Sequence, residues 1–445
     1  MSTRSQSLRR RLAPIAMSVL TSPRTRDLRR ASAELARRVR GRLREVHYFH
    51  QVDDPYSYLA AQHLTALRDR YEIALVPHLV APPSDAAAPE RARLEEFARR
   101  DAADVAPGYR LAFSARPAAP KPDALHRAQR VLACAIASGS FVESAARVGA
   151  ALWSGDEAAL AALATEIGEA GDAETRDAIA AGTALRKRRG HYLGAMFYLA
   201  PEWYWGVDRL HHLERRLALE GAAHGGTPTA FLVARPQPAR ALCTAAHPEI
   251  TLEYFPSLRS PYTWIATERV YALARDTGVT LALRPVLPMV MRGLPVPVAK
   301  QLYIARDTKR EAEDAGVAFG RICDPVGRPV ERAFSLYPFA REQGRAQELL
   351  LEFMRACWSE GVDTGTDAGL ELVAARAGLD ASAARAQLDR EGWREELEEN
   401  RKALFALGLW GVPSFCVRGG AAPLYATWGQ DRLWRVEQEI AARIA

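Results

Sequence analysis

The chain has 445 residues, 48% hydrophobic and 25% charged, with a net charge of +7 at neutral pH. That length allows two or three domains, each able to bury its own core, and the balance excludes a largely disordered chain. No run approaches the ~20 apolar residues of a membrane span, and five cysteines without a C-x-x-C spacing exclude a disulfide framework, a zinc ribbon and a redox-cycling dithiol.

The basic charge sits in residues 1–45, a basic N-terminal arm. It holds thirteen arginines against Asp27, Glu34 and Glu45, a net +10, which leaves −3 for the rest of the chain. Its apolar run from Leu12 to Leu20 is interrupted by Pro14 and Ser18, unlike a secretory h-region, and Ser7-Leu8-Arg9-Arg10 is a weak match to a twin-arginine signal. The expected location is therefore the cytoplasm. From Arg24 to Arg44, Leu28, Leu35, Val39 and Leu43 recur on one helical face with arginines around them. The expectation is a solvated helix or leader, with a surface contact to membrane or nucleic acid as the alternative. The body of the protein is expected to bind no nucleic acid.

Beyond the arm, a short strand is predicted at Val46–Phe49, a turn and helix from Pro55, and a second strand at Ile73–Leu79. A helical stretch follows over 122–186, then a hairpin and a helix over 207–218. Residues 221–249, with Gly225, Gly226 and several prolines, read as a linker. The order then repeats: a strand at Ile250–Phe255, a helix from Pro261, a strand at Val279–Val286, a helical stretch over 297–406, a hairpin and a helix over 430–444.

The repetition extends to residues. PYSYLAAQHLTAL at 55–67 faces PYTWIATERVYAL at 261–273; Ala151-Leu-Trp-Ser faces Ala356-Cys-Trp-Ser; Trp205-Gly-Val-Asp-Arg-Leu faces Trp428-Gly-Gln-Asp-Arg-Leu. Landmarks in one order at nearly constant separation predict two copies of one domain, at 46–220 and 250–445. Strand–helix–strand, helical insertion, hairpin and helix is an α/β pattern.

Three features of the second copy carry chemistry. Ser260 precedes Pro261 as an N-cap, so a hydroxyl sits at a helix N-terminus, where free N–H groups and the helix dipole stabilise an anion such as a thiolate. Val412-Pro413 enters a strand, where a proline can be cis and the backbone of Val412 can pair with an extended ligand. Gln430-Asp431 opens the last helix, where a carboxylate can accept a ligand amine. Capping alone also explains Ser260, since Asp54 occupies its place in copy one. All ten histidines lie at or before His247, so copy two contains no Ser-His-Asp triad. The adjacent His211-His212 read as solvent-facing, no metal site is expected, and Cys323 reads as the most exposed cysteine.

Together these features resemble the DsbA-like thioredoxin family, in the form of 2-hydroxychromene-2-carboxylate isomerases and kappa-class glutathione transferases, where S-P-Y replaces the redox C-x-x-C. The stretch from Arg284 to Pro295, with Lys300, Tyr303 and Asp307, is similar to that family's substrate side, although Leu294 replaces its usual asparagine. The resemblance implies two tandem thioredoxin-like domains, each with a helical insertion, and a glutathione-dependent isomerase or transferase acting on a small electrophilic, unsaturated or aromatic substrate. It implies Ser260 as the catalytic group and Val412, Pro413, Gln430, Asp431 and Lys300 as glutathione-binding residues. Copy one looks degenerate: Ala195 stands where Pro413 does, and the proline of Thr227-Pro228-Thr229 falls out of order. A thiol–disulfide oxidoreductase relative without C-x-x-C, or a non-catalytic thiol- or peptide-binding module, are the alternatives.

Overall fold

The computed structural model describes residues 3–115, 117–226, 230–237 and 245–444. Thr227-Pro228-Thr229 lies outside them. The chain divides into two compact bodies: a first of Asp27–Gln237 with Pro297–Lys300, and a second of Met1–Arg26, Pro238–Val296 and Gln301–Ala445.

Each body holds one four-stranded sheet. In the first, β1 (Arg44–His50), β2 (Ile73–Leu79), β3 (Met196–Leu199) and β4 (Glu202–Trp205) lie in the order β2-β1-β3-β4. In the second, β5 (His247–Phe255), β6 (Val279–Leu283), β7 (Ser414–Arg418) and β8 (Tyr425–Trp428) lie in the order β6-β5-β7-β8. The first two strands of each sheet pair parallel and the remaining pairs are antiparallel. A parallel pair needs a crossover, and helices supply it: Pro55–Ala61 with Leu64–Arg70 in the first body, Pro261–Thr277 in the second. Two-residue and longer turns suffice for the antiparallel hairpins.

The helix Pro261–Thr277 faces the sheet with Ala266, Val270, Leu273 and Ala274, the spacing of one helical stripe. They pack with Ile250, Leu252 and Tyr254 of β5, and with Leu433, Val436 and Ile440 of the terminal helix Leu433–Ile444. Each fully buried Val, Leu or Ile contributes roughly 1.5–3 kcal/mol, so this layer anchors the N-terminus of the helix against the sheet. A second cluster fills the helical insertion, with Phe334, Tyr337, Phe353, Met354 and Trp393 at its centre.

The sequence expectations need amendment at several points. A helix at Arg91–Val105, absent from them, follows β2; its sequence is rich in Arg, Glu and Asp, so its apolar stripe is sparse. β6 stops at Leu283, where Arg284-Pro285 leads out and Pro285 has no N–H for the ladder. Cys323 is buried rather than exposed, because its N–H donates to Cys357 O at 2.9 Å. His211 and His212 are buried too, on a helix, Gly206–Leu219, that is covered on most sides. Among the described residues no helix is long and apolar enough to cross a membrane.

Candidate active site

β5 and β7 run antiparallel with Phe255 opposite Ser414. The chain leaving β5 toward Ser260 and the chain entering β7 through Val412-Pro413 therefore lie at one end of the sheet. Trp428 of β8 pairs with Ser414, so Gly429, Gln430 and Asp431 leave β8 at that end too.

Past β5 the chain turns tightly, with Ser260 N–H donating to Ser257 O at 2.9 Å. Ser260 is extended (φ −99°, ψ 113°), and its Oγ accepts from Thr263 N at 3.1 Å. Pro261 follows at the first helical position. Oγ spends one lone pair on the cap; its proton has no acceptor among the described residues, and the residue is partly open to solvent. The turn is held by Trp358 Nε1 donating to Leu258 O at 3.1 Å and by a two-pronged Arg259–Asp324 ion pair at 2.7 Å.

The facing loop is built around a glycine. A Cβ on Gly411 would lie 1.9 Å from Trp428 Cε2, so the loop can approach that ring only without a side chain. Val412–Pro413 is cis. Gly429 N–H donates to Pro413 O at 2.9 Å and Ser414 Oγ to Gly411 O at 2.8 Å. Neither the N–H nor the C=O of Val412 has a partner among the described residues. A main-chain donor and acceptor left open side by side are what an extended ligand needs.

The remaining expected site residues fare differently. The Gln430 side chain is buried and engaged: Nε2 donates to Glu311 Oε2 at 2.7 Å and to Asp431 Oδ1, and Oε1 accepts from Arg269 Nη1 at 3.3 Å. It braces the last helix to the helices Pro261–Thr277 and Val298–Asp314. Asp431 is partly buried beside it. Lys300 groups with the first body, its Nζ donates to Ala87 O at 3.0 Å, and burial lowers its pKa. The Cys416 and Cys357 sulfurs do not resemble nucleophiles: burial pushes Cys416 up to about 12 and Cys357 higher still.

The corresponding turn of the first body is stitched shut. Asp54 takes the place of Ser260, 206 residues earlier, and accepts from Tyr56 N and Ser57 N, both at 3.2 Å, and from Ser57 Oγ at 2.8 Å. Ser57 Oγ in turn accepts from Gln51 N at 3.2 Å and from Ala195 N at 2.9 Å. Ala195 holds the position of Pro413: Gly206 N–H donates to Ala195 O at 2.8 Å, as Gly429 does to Pro413. Gly194 packs so closely that a Cβ would lie 2.9 Å from Asp54 Oδ2.

In the second body, Ser57 corresponds to Thr263 and Gln51 to Ser257, again 206 residues apart. Pro413 has no N–H to offer. Thr263 Oγ1 and Ser257 Oγ are fully buried and have no hydrogen-bond partner among the described residues. Two hydroxyls by the helix N-terminus are thus left unsatisfied. This pair is not among the site residues expected from the sequence. The signal was available, since Ser57 and Thr263 align within the repeated P-Y segments.

Burial raises the Asp54 carboxyl from 3.8 to about 7. The folded state thus keeps a proton that the unfolded chain releases near pH 4, so stability falls as pH rises from about 4 to about 7 and is flat above. An Asp54→Asn protein keeps a good N-cap and loses that slope. Urea unfolding at about pH 5 and pH 8 measures it, with an expected relative gain for the variant of a few kcal/mol at the higher pH.

Residues 251–441 match the family of DSBA-like thioredoxin domains. No curated protein matches the chain. Among solved structures it is similar to a 2-hydroxychromene-2-carboxylate isomerase, with 22% identity over 43% of this chain and 95% of that one and a TM-score of 0.37. It is similar also to the cytosolic disulfide reductase DsbM from Pseudomonas aeruginosa, with 24% identity over 44% and 100% of the two chains and a TM-score of 0.35. A probable DsbA oxidoreductase from Streptomyces coelicolor gives 21% identity over 43% and 90%, with a TM-score of 0.34. The strand order and the helix opening just beyond β5 accompany the segment, 251–441, that matches the DSBA-like thioredoxin domain.

Proposed function

We propose that the second body is a glutathione-dependent isomerase or transferase acting on a small unsaturated or aromatic electrophile. We propose further that the chain is a tandem duplication, cytoplasmic, whose first copy has lost its site. One observation carries the reading: Ser260 presents an uncommitted hydroxyl proton at a helix N-terminus, at the same sheet end as the unpaired backbone of Val412.

The residues present fit such a tripeptide thiol. Val412 N–H and C=O would hold its cysteinyl main chain as an added strand, and Asp431 would receive its amine. Ser260 Oγ–H would donate to the sulfur, and the positive end of the helix dipole would favour its anionic form. Glutathione supplies a thiolate that adds reversibly to an electrophilic carbon. No base from copy two is needed, since the helix end and Ser260 hold the anion without one, and no histidine follows His247. We do not extend the site to Lys300, whose ammonium is engaged with Ala87 O.

The described cysteines are free thiols, which suits a reducing compartment. Replacing all five cysteines with serine is expected to leave turnover of an electrophilic substrate within about twofold of wild type. Loss of turnover would instead support a thiol–disulfide oxidoreductase. Saturating glutathione is expected to raise the melting temperature by several degrees, in line with about 2.7 kcal/mol at one hundred times Kd; no shift would contradict binding.

A further inference from the structure

The helix Pro23–Val39 is mounted with its polar side inward. Arg30 donates to Glu202 at 2.8 Å, and Glu34 accepts from Arg37 and from the buried Arg44, which also donates to Glu220 O at 2.7 Å. Those arginines pull the Glu34 carboxyl down to about 2. The aliphatic side of the helix points the other way. Leu28, Leu35 and Val39 are 72%, 64% and 79% exposed, and Leu43 just beyond is 56% exposed. None of the helix is buried. Amphipathic helices on globular proteins face the core with this stripe; here the ion pairs hold the helix so that it cannot.

The surroundings of the stripe are basic. Arg24, Arg29, Arg38, Arg40 and Arg42 are exposed around it, with Asp27 as the exposed acid of the segment. The helix Thr3–Leu20 of the second body packs Pro14 and Met17 inward and likewise leaves aliphatics, Leu12, Ile15 and Val19, exposed. Nucleic acid would be served by the arginines alone and gains nothing from an aliphatic stripe. An anionic bilayer uses both parts, burying the aliphatics at the acyl boundary while the arginines meet headgroup charge.

We propose that the Pro23–Val39 helix is a docking surface for anionic lipid bilayers, which would hold the protein at a membrane surface without crossing it. The test is flotation of the full chain with vesicles of phosphatidylcholine containing about one third phosphatidylglycerol, against phosphatidylcholine alone. Wild type is expected to float with the anionic vesicles, less so at high salt. A triple Leu28→Ser, Leu35→Ser, Val39→Ser variant, checked for an unchanged melting temperature, is expected to lose at least about tenfold in partitioning. Equal flotation with both vesicle types, or flotation of the variant like wild type, overturns the proposal. So does a lipid-free, concentration-dependent dimer that the triple variant abolishes, because the stripe would then be covered by a second copy of the chain.

Discussion

A Gly411→Ala protein is expected to lose about 3 kcal/mol or more of second-body stability and, with it, the candidate site. The methyl group would sit 1.9 Å from Cε2 and 2.2 Å from Cζ2 of Trp428. Neither side can give way easily. The Trp428 ring lies 4.9 Å from that of Trp410, and Trp428 is paired with Ser414 across β7 and β8. Relief requires either expelling the indole or moving the chain that carries Val412 and Pro413. Overpacking of this kind typically costs 1–3 kcal/mol when the surroundings adjust and more when they cannot. Urea denaturation monitored by tryptophan fluorescence measures the loss. A variant as stable as wild type would show that the loop and the ring are not held together as described.

The second large effect separates the two bodies. Ser57→Ala in the first removes the one hydroxyl that Gln51 N and Ala195 N donate to and that itself donates to Asp54. Two buried N–H groups lose their acceptor, and each unsatisfied group costs about 1–3 kcal/mol, so a total of about 2–6 kcal/mol is expected. Thr263→Val at the corresponding place in the second body removes a hydroxyl that has no hydrogen-bond partner among the described residues. It is expected to leave stability within about 0.5 kcal/mol of wild type or to raise it. Equal destabilisation by the two substitutions would contradict the contrast between a closed turn and an open one.

Much of this was legible in the sequence, and the limits have a physical pattern. Strand β2 is found at Ile73–Leu79, where it was expected, and the ends of β1 and β5 differ by only a few residues. Ser260 reads as a cap because capping is local chemistry: a hydroxyl, then proline, then a helix-forming run. Legibility fails wherever a side chain's partner comes from far along the chain. Gln430 looks available to a ligand until Glu311 and Arg269, from two other helices, occupy its amide. Thr263 is unremarkable until Pro413, 150 residues on, turns out to have replaced an N–H donor. Cys323 sits in a polar Arg-Ile-Cys-Asp-Pro stretch, yet its backbone pairs with that of Cys357 and draws it inside. The Leu28, Leu35 and Val39 stripe was visible as a helical face, but its outward orientation depends on Glu202 and Arg44.

The decisive titration follows the ultraviolet absorbance of the sulfur anion of glutathione bound to the full chain as pH is raised. With wild type, the sulfur should lose its proton at least about one unit below the ordinary range near 8.5, as expected for an anion at a helix end that also receives a hydroxyl hydrogen bond. In Ser260→Ala, whose missing cap should lower stability by only about 1 kcal/mol, binding should persist while the midpoint returns toward that range. Glutathione that binds wild type with an unshifted midpoint, or does not bind at all, would contradict the account.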